Sequence, residues 1–403
     1  MKKDILFLCQ FFYPEFVSSA TLPFDTAVAL KEAGYSVDAL CGYPHEYSDG
    51  QELPKKETVR GIGITRVKYL QLDRKSFIGR LVNYFSFTFM MLLHLFQMAR
   101  YKAVIVYSNP PILPWVASWA KVLFGTKLIF VAYDLYPEIA IRTNTLREGN
   151  IICRLMNHIN KAVYRRADCV VALSSEMKTY IVENRFIDPH RVAVIPNWYA
   201  DSGMIDRKNL DTPLQALTKG RFTVSYFGNM GTAQDMDTIQ DAMRKLKDDE
   251  DLCFLFAGHG NKVEKLKSFI EEEKIPNAHV FDFLRGKDFQ DALAISDCAF
   301  VSLAEGLTGL CVPSKTYSYM MQGIPLLAIM DHCDIVEDIE AGAGAWVHSG
   351  ESDKLADMIC ALRADSERQQ RSRLCCRELY LKKYTTEICT GHYVRMIRDM
   401  LDN

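Results

Sequence analysis

Two stretches far apart in this chain are built alike, and each reads as a strand buried on both faces. Ile5-Leu6-Phe7-Leu8-Cys9 is apolar without alternation, and Phe222 to Phe227 comes close to it. A half-exposed strand would alternate with period two. Continuous runs therefore point to parallel sheets covered by helices on both sides. The first run leads to a helix over Thr21 to Ala33, with Gly34 placed for a C-cap, and then to a strand over Tyr35 to Leu40. Further strands fit Ala103–Tyr107, Lys127–Ala132 and Cys169–Leu173. The second run leads to a turn at Gly228–Gly231, a helix over Met236 to Leu246, and a strand over Cys253 to Ala257 that enters Gly258-His-Gly260. Such alternation implies right-handed crossovers in a parallel sheet. The expected fold class is α/β, with two doubly wound, Rossmann-like domains. They would cover 1–200 and 201–384, joined by the polar stretch Asp201 to Gly220, with a last helix at about 385–403 packing back on the first. Ligands in such folds gather at the carboxyl ends of the strands, here in a cleft faced by both domains.

Charge narrows the function. The chain's 403 residues carry 48 Lys and Arg against 50 Asp and Glu, a net of −2. That balance lacks the basic excess of a dedicated nucleic-acid binder, so no nucleic-acid partner is expected. Five of the 12 cysteines, Cys9, Cys41, Cys169, Cys253 and Cys298, lie inside strand-like runs. No C-x-x-C occurs and Cys375 and Cys376 are adjacent, so reduced thiols in a reducing cytoplasm are expected. The start, Met-Lys-Lys-Asp, enters a strand directly without a long apolar core or small-residue cleavage site, so no secretion signal is expected. The histidines show no zinc spacing, and neither a metal nor another cofactor is expected.

From Leu81 to Ala99 there is no Asp, Glu, Lys or Arg. That is close to the ~20 apolar residues that span a bilayer. Arg66, Lys68, Arg74, Lys75 and Arg80 precede it, and Trp115 and Trp119 follow on another apolar helix. Basic residues beside an aromatic-rich helix fit a segment lying in an anionic membrane surface, with Phe85, Phe87, Phe89, Leu93, Trp115 and Trp119 as its contacts. A core helix and a true span are the alternatives. The span is disfavoured because the flanks read as strands of one sheet.

Two corners suit an anion. In Val312-Pro-Ser-Lys315 through Gly323-Ile-Pro325, Pro313-Ser314 starts a helix that Gly323 ends. Ser314 and Lys315 then stand where backbone N–H groups and the helix dipole favour negative charge. Lys315 opposes that dipole, which calls for a compensating anion. Phe227-Gly-Asn-Met-Gly231 is a strand, a glycine turn and a helix, a second corner of the same kind. Together they fit a diphosphate.

These motifs, with Tyr13-Pro-Glu15, Pro196-Asn197, Glu305 and Asp134-Leu-Tyr-Pro-Glu138, resemble the retaining, metal-independent GT-B glycosyltransferases of family four, over most of the chain. The subgroup it looks like builds bacterial capsule, O-antigen or exopolysaccharide on lipid-linked acceptors. The resemblance implies a nucleotide-sugar donor, UDP-linked, and a polyprenyl-diphosphate-linked glycan as acceptor, with the enzyme on the cytoplasmic face of the membrane. It assigns Ser314, Lys315, Gly228 and Asn229 to the donor diphosphate, and Leu284 and Arg285 to the base. Glu305 falls to the donor sugar or ribose, and Ser18 and Ser19 to a loop between donor and acceptor. Asp134 and Glu138 fall to the acceptor side, where each also suits a helix cap. Asn229 and Gln234 stand where the family has Arg and Lys, and the second family glutamate falls at Ser318. A nucleotide-sugar epimerase or a catalytically silent GT-B partner are the competing readings. The epimerase leaves the apolar stretch from Leu81 without a purpose.

Overall fold

The computed structural model describes residues 2–44, 52–73, 76–207, 210 and 212–402, leaving out the side chain of Phe77. The chain divides into two compact units. The first comprises Met1–Asn197, Gly309–Val312 and Thr386–Asn403, and the second Trp198–Thr308 and Pro313–Thr385.

Among the described residues the first unit holds eight strands: β1 (Lys3–Cys9), β2 (Val37–Gly42), β3 (Lys56–Val59), β4 (Ile62–Val67), β5 (Tyr101–Tyr107), β6 (Lys127–Val131), β7 (Cys169–Ala172) and β8 (Val192–Val194). Their order is β3-β4-β2-β1-β5-β6-β7-β8, parallel except for the β3–β4 pair. The β3–β4 hairpin has no counterpart in the sequence reading, since Lys56–Val59 is short and polar. The second unit orders β9 (Phe222–Asn229), β10 (Leu252–His259), β11 (Ala278–Phe281), β12 (Cys298–Ser302), β13 (Leu326–Ile329) and β14 (Gly344–Val347) as β11-β10-β9-β12-β13-β14, all parallel. Two doubly wound sheets are thus present. In the second, Val224, Phe254, Phe300 and Ile329 pack against Ile239 and Met243 of helix Asp237–Lys245 and Leu355 and Ile359 of helix Ser352–Ala364. Each such side chain contributes roughly 1.5–3 kcal/mol through burial.

Helix Thr386–Leu401 packs on helix Ser18–Glu32 in the first unit, where Tyr35 Oη donates to Asp402 at 3.1 Å. The stretch read as a linker is anchored instead. Ile205 N and O both bond the fully buried Gln322 carboxamide, at 3.1 and 2.9 Å, and Asp201 pairs with Arg377 at 2.8 Å. A polar composition hid these anchors. All twelve cysteines are unbridged, and burial pushes the Cys41 thiol up to about 12.

The apolar stretch forms helix Phe77–Leu93, followed by a short helical turn at Leu95–Arg100. No described helix is long and apolar enough to cross a membrane. Its two stripes have different fates. Phe87, Met91, Leu95 and Met98 are buried, whereas Phe85 is 52% exposed, Phe89 59%, Leu93 61% and Phe96 77%. Phe87 therefore belongs to the core, because the i, i+4 spacing turns it towards the sheet. Trp115 and Trp119 are half-buried, with the Arg166 guanidinium 4.9 Å above the Trp119 ring.

Among the basic residues ahead of the helix, Arg74 and Lys75 lie outside the described residues. Arg66 is fully buried: it bonds the Glu57 carboxylate, Tyr13 O at 2.9 Å and Pro54 O at 3.1 Å. It ties loops together and does not face a surface. Removing the carboxylate leaves a buried cation unpaired. Glu57→Gln should lower the unfolding free energy by roughly 3 kcal/mol in a denaturant titration; an unchanged midpoint would refute the structural role of this pair.

Candidate functional site

β9 and β10 run in register to their carboxyl ends, with Gly228 opposite Gly258 and Asn229 opposite His259. The backbones close in there. A Cβ on Gly258 would meet Gly228 O at 1.9 Å, and one on Gly260 would meet Met230 O at 2.3 Å, so both sites require glycine. Met230 N donates to His259 O at 2.7 Å, and Lys262 N to Met230 O at 2.9 Å. Lys262 Nζ also donates to Gln234 O at 2.7 Å, while the Gln234 side chain accepts Gly231 N–H at 2.8 Å. The glycine turn is therefore clamped on three sides.

Lys315 crosses this turn. Its Cε would lie 3.5 Å from a Cβ on Gly228, and its Nζ donates to Tyr226 Oη at 2.6 Å and sits 4.1 Å over the Tyr226 ring. Tyr226 is buried and donates onward to Asn229 O at 2.9 Å. Tyr319, one turn after Lys315, accepts Phe227 N–H at 2.7 Å and so fastens helix Lys315–Met321 to the end of β9. Ser314 is exposed at the start of that helix, and its hydroxyl makes no capping bond. It does not serve as the N-cap its type suggests, since its own backbone is helical (φ −62°, ψ −21°) and Thr316 Oγ1 takes Pro313 O instead. Ser318 is buried, with Oγ donating to Lys315 O at 2.8 Å.

Other candidates surround the same strand ends. Exposed Glu305 follows β12 between two anchors: Ala304 N donates to Ala233 O at 2.9 Å, and Gly306 N to Asp331 Oδ2 at 3.2 Å. Leu284 is half-buried and Arg285 exposed just before helix Gly286–Ile295. The Arg285 guanidinium lies 5.7 Å over Phe283, whose ring is 5.4 Å from that of His259. The structure thus gathers Gly228, Asn229, Gln234, Glu305, Ser314 and Lys315 at adjacent strand ends. It adds Tyr226 and Lys262, which sequence reasoning missed. The Gly258-His-Gly260 run two residues before Lys262 was the available signal.

In the first unit, Ser18 and Ser19 form the first turn of helix Ser18–Glu32 and not a loop. The helix starts early because Ala20 N and Thr21 N both bond Val17 O. Glu138, at the start of helix Glu138–Arg142, is held by Arg185 at 2.6 Å, both side chains being largely buried. Asp134 differs. Its backbone N–H and that of Tyr133 donate to Ser108 Oγ at 3.2 and 3.0 Å, and solvent reaches its side chain. Desolvation by the surrounding protein raises its carboxyl, to about 6 at most because solvent reaches the residue. No group of three or more metal-ligating side chains occurs among the described residues.

The carboxyl of Asp134 predicts a pH effect. An ordinary Asp ionises near 3.8, so between pH 4 and 6 the folded chain binds more protons than the unfolded one, and stability falls as pH rises through that window. Asp134→Asn should therefore raise Tm relative to the parent at pH 7, and the gain should vanish below about pH 4. A gain independent of pH would contradict the raised carboxyl.

Comparison with known proteins agrees with this architecture. A family model described as a glycosyl transferase 4-like domain matches residues 24–198, and one for glycosyl transferases group 1 matches residues 221–365. The chain is 27% identical over 266 residues to the probable glycosyltransferase WbjE of Pseudomonas aeruginosa, a match covering 64% of this chain and 66% of that one. It is 22% identical over 261 residues to the putative colanic acid biosynthesis glycosyl transferase WcaI of Escherichia coli K12, covering 62% of each. The matches thus span a little under two thirds of these relatives. Anabaena Alr3699/HepE, solved in complex with UDP and glucose, superposes with a TM-score of 0.71 at 15% identity, over 98% of this chain and 100% of that one.

Proposed function

We propose that this chain, which both matching family models describe as a glycosyl transferase, is a GT-B enzyme that moves a sugar, with retention of configuration, from a UDP-linked donor to a polyprenyl-diphosphate-linked glycan during bacterial surface-polysaccharide assembly. The observation that carries this reading is Lys315 laid across Gly228 against the Tyr226 hydroxyl. When the bond between the anomeric carbon and the diphosphate oxygen breaks, negative charge gathers on the departing diphosphate. A preorganised ammonium stabilises that charge without reorienting at the moment of reaction. In this reading the turn at Gly228–Asn229 and the Ser314 hydroxyl add donors, Leu284 and Arg285 border the base, and Glu305 receives hydroxyls of the donor. Asp134 orients the acceptor hydroxyl. Glu138 acts through its ion pair with Arg185 as a positioning residue. No protein nucleophile is assigned and no metal is invoked. The UDP and glucose bound to HepE, and the colanic acid named for WcaI, support the donor class and the pathway type.

Lys315→Ala should lower kcat/KM about a hundredfold, the typical worth of one electrostatic donor at ~3 kcal/mol, while Tm stays within a degree or two. Unchanged turnover of UDP-sugars by a folded variant would overturn the assignment. Conversion of a UDP-sugar without any acceptor would support the epimerase.

The reading also places the enzyme at the cytoplasmic face of an anionic membrane. Its support is the exposed stripe of Phe85, Phe89, Leu93 and Phe96. An apolar stripe of this kind inserts into the headgroup boundary, with neighbouring basic residues attracted to anionic lipid. Phe89→Asp with Leu93→Asp should release the protein from vesicles of phosphatidylglycerol and phosphatidylcholine at unchanged Tm. Persistent vesicle binding by that variant would refute the stripe as the anchor.

A further inference from the structure

A cavity of about 580 Å³ opens in the second unit beside β14, the edge strand of its sheet. Residues of both parities on β14, Ala345 and Trp346, line it, so it lies along the strand's unpaired edge. Its remaining walls come from the turn at Ile339–Ala343, from Met358 on helix Ser352–Ala364, and from helix Ser366–Lys383. The volume is within the range of sites for small molecules.

The chemistry of the lining is specific. Arg368 and Arg371 stand one turn apart on the same face of helix Ser366–Lys383, near its N-terminus, where the dipole disfavours cations. Arg371 pairs with Glu367 at 3.3 Å, with both side chains mostly in solvent. A pair of that kind is worth little. Two forked guanidinium groups on one rim match a phosphate, which they hold through paired N–H donors. Glu340, whose carboxylate lies 3.6 Å from His332 Nε2, adds a carboxylate to the lining, and the half-buried Trp346 indole, with His332 and His348 set edge-on to it, an apolar wall. A carboxylate there works against a polyanion and suits hydroxyl groups, while the C–H face of a pyranose packs on an indole. Ser372 adds another polar group.

We propose that this cavity is a binding site for a sugar phosphate, with the phosphate on Arg368 and Arg371, hydroxyls on Glu340, and the ring against Trp346. β14 stands three strands from β9, about 14 Å across the sheet, so a ligand here is separate from the one at Lys315. The site does not depend on the identity of the donor or acceptor.

Calorimetric titration of the full chain with glucose 1-phosphate and glucose 6-phosphate, and with glucose and inorganic phosphate as controls, tests this. At least one sugar phosphate should bind saturably, and at least tenfold more tightly than glucose or inorganic phosphate. Arg368→Gln with Arg371→Gln should weaken that binding at least tenfold without altering Tm, and Lys315→Ala should leave it intact. Absence of saturable binding up to about 10 mM would overturn the proposal. So would inorganic phosphate binding equally well, or binding that survives the arginine changes. Loss of binding in Lys315→Ala alone would move the ligand to the corner beside Gly228 and overturn it too.

Discussion

The close approach of β9 and β10 at their carboxyl ends decides what the second unit can do. Gly258 and Gly260 let one backbone press against the other, and main-chain bonds then fix Met230 between His259 and Lys262. A turn held this firmly cannot fold over its own strand end, so the position above Gly228 is open to a side chain arriving from elsewhere. Lys315 arrives there from the far side of β12, and Tyr319 holds its helix in place through Phe227. Buried Tyr226 completes the link by joining the ammonium to Asn229 O. A cation and a glycine turn thereby meet from different elements, and the loop that carries Glu305 is tied to the segment after that turn through Ala304 and Ala233. In the proposed reaction this arrangement would stabilise a leaving diphosphate.

Much of this was legible beforehand because it rests on local rules. Fully apolar strands announce a parallel sheet, a glycine after a strand announces a turn, and Gly323 with Pro325 announces the end of a helix. What stayed hidden depended on long-range partners. Tyr226 reads as one more aromatic in a buried strand, and only the fold brings Lys315, 89 residues later, to its hydroxyl. Glu138 looked as open as Asp134 until Arg185 closed on it. The polar run from Asp201 gave no sign that Gln322 would fasten Ile205 to the second unit. The family resemblance assigns Ser18 and Ser19 to a loop, whereas the backbone bonds that Val17 accepts draw them into the first turn of a helix.

The helix Phe77–Leu93 shows the same division between pattern and context. Its lack of charge admitted three readings, since an apolar helix can be buried, interfacial or spanning. The fold assigns one stripe to the core through Phe87 and Met91 and leaves Phe85, Phe89 and Leu93 outside. Arg66, grouped by sequence with the basic residues around it, instead lies wholly inside with Glu57. Charge near an apolar helix is therefore informative only once burial is known.

A crystal structure of the chain with UDP decides whether Lys315 meets a diphosphate. The diphosphate should lie above Gly228, with an oxygen within hydrogen-bonding distance of Lys315 Nζ and the β9–β10 turn unmoved. UDP bound elsewhere, or Lys315 still engaged with Tyr226 and remote from the phosphates, would contradict that placement.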